Sequence, residues 1–283
     1  MITVKKEGVI LEKTNHGFEC SGVLNPTVFH ENDTVHMFYR AVSKDNYSSI
    51  GYCQLKTPLT VENRMEIPLI FPQYNYEKKG IEDPRIVKIG DTYYLTYTAY
   101  DGLNALGALA TSKDLITWEK RGLIVPQYSY EEFKFLAGSK GELSEKYFRF
   151  NGKYIVSKKL EKKVLVWDKN VMLFPSRINK KLYFLHRIKP DIQIVSVEDL
   201  SELTHNFWDN FLLMFCDHIL ISSKYDHEIS YIGGGCPPIE TEKGWLLIYH
   251  GVHDTVEGYV YCACAVLLDL EDPTREIARL VYT

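Results

Sequence analysis

The chain has 283 residues, 45% of them hydrophobic and 25% charged, with a formal net charge of -4. A chain of this length can bury a substantial core in one domain, and residues 1–283 are expected to form a single unit. Its slight negative charge excludes a general attraction for nucleic acid or an anionic membrane surface, and without an apolar run of signal-peptide or membrane-span length it is expected to be cytoplasmic.

In chain order, Thr34 to Arg40, Thr92 to Tyr97, Lys153 to Ser157, Lys181 to Arg187 and Gly244 to His250 are short aromatic and β-branched runs, each read as a strand. Polar turns precede most of them: Glu31-Asn32-Asp33, Ile89-Gly90-Asp91, Asn151-Gly152 and Ile178-Asn179-Lys180. Second apolar runs follow at Ala105 to Ala110 and Tyr259 to Leu267. Hairpin after hairpin at irregular spacing predicts an all-β repeat, and the blades of a β-propeller fit better than a strict solenoid. Short helices are expected at most within Tyr130 to Lys146 and Ser196 to Asn206. The stretch near 129–168 is longer than a blade link needs and is expected to form a lid, an oligomer contact or an extra hairpin.

The cysteines at 20, 53, 216, 236, 262 and 264 show no zinc-type spacing, so reduced core thiols and no metal are expected, although Cys262 and Cys264 would share one face of a strand. Aromatic residues, 13% of the chain with 20 tyrosines, suit sugar packing, but sheet propensity alone accounts for most of them.

Glu82-Asp83-Pro84-Arg85 carries the most chemical information. Pro84 fixes its own φ and is expected to push Asp83 toward an extended conformation, holding the carboxyl at a strand end. An ordinary Asp-Pro turn would look the same in isolation.

The ordered set of motifs, however, resembles glycoside hydrolase family 130, the mannoside phosphorylases and related enzymes. It runs from Asn25-Pro26 through Tyr39-Arg40-Ala41, Ser48 to Tyr52, Glu82 to Arg85, Ser112 to Trp118, Lys169-Asn170, Leu185-His186-Arg187, Gly233 to Pro238 and Gly244 to Gly251 to Leu267 to Pro273. The resemblance implies a five-bladed β-propeller that cleaves β-mannosides or mannooligosaccharides with inorganic phosphate as co-substrate and no other cofactor. It implies that Asp83 is the general acid, relaying its proton through a hydroxyl of the mannosyl unit. Burial would raise the carboxyl's pKa, whereas Arg85 beside it would lower it, so that guanidinium is expected to point away or to bind sugar. Asn25 and Arg40 match sugar-binding positions, and Asp191 is expected at the sugar as well.

Phosphorolysis needs cations to gather an anionic nucleophile, whereas an inverting hydrolase needs a second carboxylate to activate water. Lys169, Arg187 and His250 occupy the positions at which the resemblance places phosphate-binding groups, which favours inverting phosphorolysis to α-mannose 1-phosphate. The alternatives are an inverting β-mannosidase, its base drawn from Asp191, Glu228 or Asp254, and a non-catalytic carbohydrate-binding or protein-binding propeller. The resemblance also implies a Tyr-Tyr-Gly and Ala-Asp motif beyond Arg279 that this sequence lacks. An atypical last blade is therefore expected, with closure by a strand near Val4 to Leu11 or by the insertion; a homo-oligomer is compatible with all of this.

Overall fold

The computed structural model describes residues 5–141, 143–149 and 163–281. Strands β1 (Gly22–Glu31), β2 (Thr34–Val42), β3 (Ser48–Thr57) and β4 (Thr60–Arg64) form the first antiparallel meander. A second comprises β5 (Gly80–Ile89), β6 (Thr92–Tyr100), β7 (Ala105–Ser112) and β8 (Glu119–Leu123). The third is β9 (Asp168–Leu173), β10 (Leu182–Ile188), β11 (Ile192–Val197) and β12 (Ile219–Ile221). In the fourth, β13 (Tyr231–Gly234) and β14 (Ile239–Thr241) share one flank of β15 (Gly244–Thr255), followed by β16 (Gly258–Leu268) and β17 (Glu276–Arg279). These are propeller blades. The first strands touch one another in turn, β1 with β5, β5 with β9 and β9 with β13.

Local chemistry explains the hairpins. Asn32 and Asp33, and Asn179 and Lys180, all have positive φ, as two-residue turns with the twist of the flanking strands require. Blades pack face to face on apolar side chains: Phe38, Ile50, Ile81 and Leu95 between the first and second, Leu109, Val171 and Phe184 between the second and third, and Met172, Leu185, Ile232 and Leu247 between the third and fourth.

Each blade also carries one buried polar anchor. Tyr39 donates to Glu19 at 2.8 Å, and Arg64 pairs with the same carboxylate at 2.9 Å. Tyr97 donates to Glu77 at 2.6 Å, with Lys120 at 2.5 Å, and Tyr249 donates to Glu228, with Arg279 at 3.6 Å. In the third blade His186 stands where the others have tyrosine and meets Asp168 at 2.7 Å. Such groups are tolerated in a core because each meets an opposite charge or a hydrogen-bond partner, although His186 Nε2 has none among the described residues.

Several expectations change. The described part of the insertion is helical rather than a hairpin: α1 (Tyr130–Ala137) starts at Ser129, whose side chain accepts from the Glu132 amide, and α2 (Lys146–Arg149) follows. The second expected helical stretch holds α3 (His205–Leu213), which lies beyond Ser196 to Asn206 for most of its length, because Ile192–Val197 pairs with β10 as β11. Phe133 and Tyr147 pack on Phe215 at ring distances of 5.1 and 5.2 Å, seating α1 and α2 against the third blade. The expected strand Lys153 to Ser157 and the turn Asn151-Gly152 lie outside the described residues. Residues 5–11 form no strand, and Leu11 rests on the first blade's own cluster; Val4 is outside the described residues. Of the cysteines only Cys53 and Cys264 are buried, and all six are free thiols. Among the described residues no helix is long and apolar enough to cross a membrane.

Candidate active site

The site is made by one irregularity repeated on three first strands. Pairing of β1 with β2 slips between Leu24 and Thr27, that of β5 with β6 between Glu82 and Arg85, and that of β9 with β10 between Lys169 and Met172. At these bulges Asn25, Asp83 and Asn170 have φ of 48°, 54° and 53°. Asn and Asp tolerate the left-handed region better than other residues with a Cβ, and a bulge re-aims a side chain that a regular strand would turn aside. Asp83 is therefore neither extended nor at a strand end, as Pro84 had suggested. It sits inside β5, its direction set by the missing rung of the ladder.

The second strands supply the facing row. Arg40, Thr98, Arg187 and His250 each follow the blade's anchor residue, and they pair with Leu24, Glu82, Lys169 and Gly233. The result is a cavity of about 420 Å³ lined by Asn25, Asp83, Arg85, Trp167, Lys169, Asn170, Arg187, Lys189, Tyr231, His250 and Tyr261. Asp83 is the single carboxylate of that lining among the described residues, facing two arginines, two lysines and a histidine.

Hydrogen bonds fix the acid. Asn25 donates to Asp83 Oδ1 at 2.7 Å, and Arg40 Nη1 lies 3.6 Å from the same oxygen. Arg40 also donates to Ser48 at 2.9 Å and to Glu82 at 2.9 Å, while the other Glu82 oxygen takes Lys169 at 3.1 Å. Glu82 thus bridges the cation beside the acid to a cation of the cavity wall. Burial pushes the Asp83 carboxyl up, but Lys169, the Asn25 hydrogen bond, Arg40 and Arg85 together outweigh it and hold the group below the usual range. Of the two opposed influences expected from the sequence, burial raising and a neighbouring cation lowering, the cations prevail. Arg85 is buried with Nη1 on the Pro84 carbonyl at 2.7 Å, and burial lowers its own pKa.

The cationic wall is equally buried. Arg187 is 6% exposed, its pKa lowered by burial, with its guanidinium 5.4 Å from the centre of the Tyr231 ring. Burial, then Arg187, Arg85 and Lys189, hold His250 down to about 3, so its imidazole is neutral and offers a hydrogen bond rather than a charge. That corrects its reading as a third cation. The nitrogens Arg85 Nε and Arg187 Nε and the oxygen Asn170 Oδ1 are buried without a hydrogen-bond partner among the described residues. Each is free to hydrogen-bond to water or to a polar ligand in the cavity.

Asp191 is not brought to this cavity. Its buried carboxylate accepts from Tyr147 at 2.5 Å, so it seats the insertion instead of a sugar. Glu228 is fully buried in its anchor, and Asp254 accepts from Ser230 at 2.8 Å. Neither lines the cavity. Glu82, Asn170, Lys189, Trp167, Tyr231 and Tyr261 were not picked out from sequence; the available signal was the recurrence of Leu24-Asn25-Pro26, Glu82-Asp83-Pro84 and Lys169-Asn170-Val171 one blade apart. A larger groove of about 1050 Å³ runs along β6 to β8, but its Asp114 caps the amides of Ile116 and Thr117 and its Arg121 pairs with Glu119. The one group of metal-ligating side chains among the described residues, His227, Glu228 and Cys264, uses a carboxylate already taken by Tyr249 and two backbone amides.

The sequence model of a family described as β-1,4-mannooligosaccharide phosphorylase matches residues 6–282. A 1,2-β-oligomannan phosphorylase of Thermoanaerobacter sp. is 31% identical over 292 residues, covering 99% of this chain and 81% of the relative. The structure of β-1,2-mannobiose phosphorylase from Listeria innocua with β-1,2-mannobiose aligns with a TM-score of 0.63 and 25% identity over 91% of this chain and 76% of that one. A third, at TM-score 0.69 and 20% identity over 96% of this chain and 77% of its own, comes from the glycoside hydrolases of the family that target β-1,2 mannosidic linkages in Candida mannan. The fold is the five-bladed β-propeller, of which the described residues trace four blades.

Proposed function

Because the chain belongs to glycoside hydrolase family 130, we propose that it cleaves β-mannosides by inverting phosphorolysis, with β-1,2-linked mannooligosaccharides as substrates and α-mannose 1-phosphate as product. The observation that carries this reading is the composition of the cavity: one carboxylate facing Arg85, Lys169, Arg187 and Lys189. Hydrolysis with inversion calls for a second carboxylate about 6.5 to 9.5 Å from the acid. Asp191, Glu228 and Asp254, the candidates for that base, are engaged elsewhere.

In the proposed reaction a phosphate oxygen attacks the anomeric carbon from the face opposite the leaving group. The bond from that carbon to the acceptor oxygen breaks, and the oxygen receives the Asp83 proton through a mannosyl hydroxyl. Lys169 and Arg187 hold the phosphate by charge-assisted hydrogen bonds, with His250 as a neutral partner. The depressed pKa of Asp83 fits this order of events. A phosphate dianion among the cations cancels the field that keeps the carboxyl ionised, so the acid becomes competent once the nucleophile is present. Trp167 and the exposed ring of Tyr261 give apolar faces at the cavity for sugar packing.

The deciding experiment is product analysis of β-1,2-mannobiose incubated with and without inorganic phosphate. Mannose 1-phosphate formed only with phosphate is the expected result. Free mannose at the same rate without phosphate would make the protein a hydrolase.

A further inference from the structure

Lys189 comes two residues after Arg187, in the turn just beyond the end of β10, and both side chains line the cavity. The matching places in the other blades, two residues after Arg40, Thr98 and His250, hold Val42, Tyr100 and Val252. The third blade alone has a cation there, and it is the blade that also supplies Lys169 and Arg187. A half-buried lysine ordinarily extends its ammonium toward water. Here Nζ instead lies 3.6 Å from the centre of the Tyr231 ring, on the cavity wall, with the Tyr231 hydroxyl meeting that of Tyr261 at 2.6 Å. Lys189, Arg187 and Lys169 thus gather three cationic side chains on one wall of the cavity, an arrangement that an anion bound there would stabilise.

Resting on the phosphorolytic reading, we propose that Lys189 is a further phosphate-binding residue, completing an anion site with Lys169 and Arg187 against the Tyr231 and Tyr261 wall. The titratable and charged groups that share the cavity with it are Arg187 from β10, Lys169 from β9, Tyr231 from β13, neutral His250 from β15, Tyr261 from β16, and Asp83 and Arg85 from β5. Burial, then Arg187 and Lys169, lower its pKa to about 7. Without phosphate its charge is therefore present below that pH and lost above it. Phosphate restores the charge, so binding at higher pH takes up a proton and weakens as pH rises.

The test is steady-state kinetics of Lys189→Met and Lys189→Arg with phosphate and β-1,2-mannobiose varied separately. Lys189→Met is expected to raise KM for phosphate about tenfold or more at neutral pH while leaving KM for the mannoside within about twofold. Lys189→Arg keeps a charge that does not titrate, so its phosphate KM is expected to stay low and to lack the rise above about pH 7 expected of the wild type. An unchanged phosphate KM in Lys189→Met, or equal loss for both substrates, overturns the proposal and leaves phosphorolysis standing. A wild-type protein that makes no mannose 1-phosphate overturns both. Should the Met variant fail to fold, the pH profile of the Arg variant decides: retention of the wild-type rise sinks the assignment.

Discussion

Asn25 and Asp83, 58 positions apart in the chain, are joined at 2.7 Å, each at a bulge on the first strand of its blade. That bond presents one Asp83 oxygen to an amide and leaves the carboxyl aimed into the cavity. Asp83→Asn should lower turnover by about 10²–10⁴-fold, the range general-acid removal commonly costs, with an unchanged far-UV spectrum. Near-normal turnover would show that another group is the acid.

The same residue gives a pH prediction for stability. Its folded pKa is depressed, so its contribution is present above the ordinary Asp value and is lost as pH falls through the folded one. The urea midpoint of the wild type should exceed that of Asp83→Asn by a margin that shrinks as the pH drops below about 4. A margin that grows on acidification would contradict the electrostatic account.

Glu82 holds Arg40 with one oxygen and Lys169 with the other. Glu82→Gln should release both cations and reduce kcat/KM about tenfold or more, equivalent to ~1.4 kcal/mol of transition-state stabilisation. Because it touches both sides of the cavity, KM for phosphate and for the mannoside should rise together. A change confined to one substrate would break the bridge interpretation.

A Cβ on Gly233 would stand 2.6 Å from His250 Nε2 and 2.9 Å from Asn170 Oδ1. Gly233→Ala should therefore displace the imidazole and cost about 1–3 kcal/mol in stability, typical of overpacking, with a larger relative loss in activity. Thermal unfolding and initial rates of the same preparation separate the two effects.

Lys120 and Glu77 are paired at 2.5 Å, with side chains 4% and 0% exposed. Removing the cation alone leaves a buried carboxylate, so Lys120→Met should destabilise by about 3–5 kcal/mol in urea titrations. It lies in the second blade's outer anchor, so phosphate and mannoside KM should stay near wild type in the folded fraction.

The sequence by itself determined the hairpins, because apolar runs of period two and Asn, Asp and Gly turns act over a few residues. Asn32-Asp33 and Asn179-Lys180 close hairpins where they were expected. It also marked Asp83, Lys169, Arg187 and His250, since a motif order survives without knowledge of contacts. Only the tertiary structure decided which way those side chains point. A bulge is a mismatch in register between two strands and is invisible in either strand alone, so the left-handed Asp83, the Glu82 bridge and Asn170 could not be read in advance. Charge states are decided the same way: neutral His250 follows from burial and then from cations on other blades, and the depressed Asp83 from cations that outweigh its burial. Asp191 passed for a sugar ligand because a carboxylate near a cationic motif looks functional, while Tyr147, 44 positions away, already held it in the core.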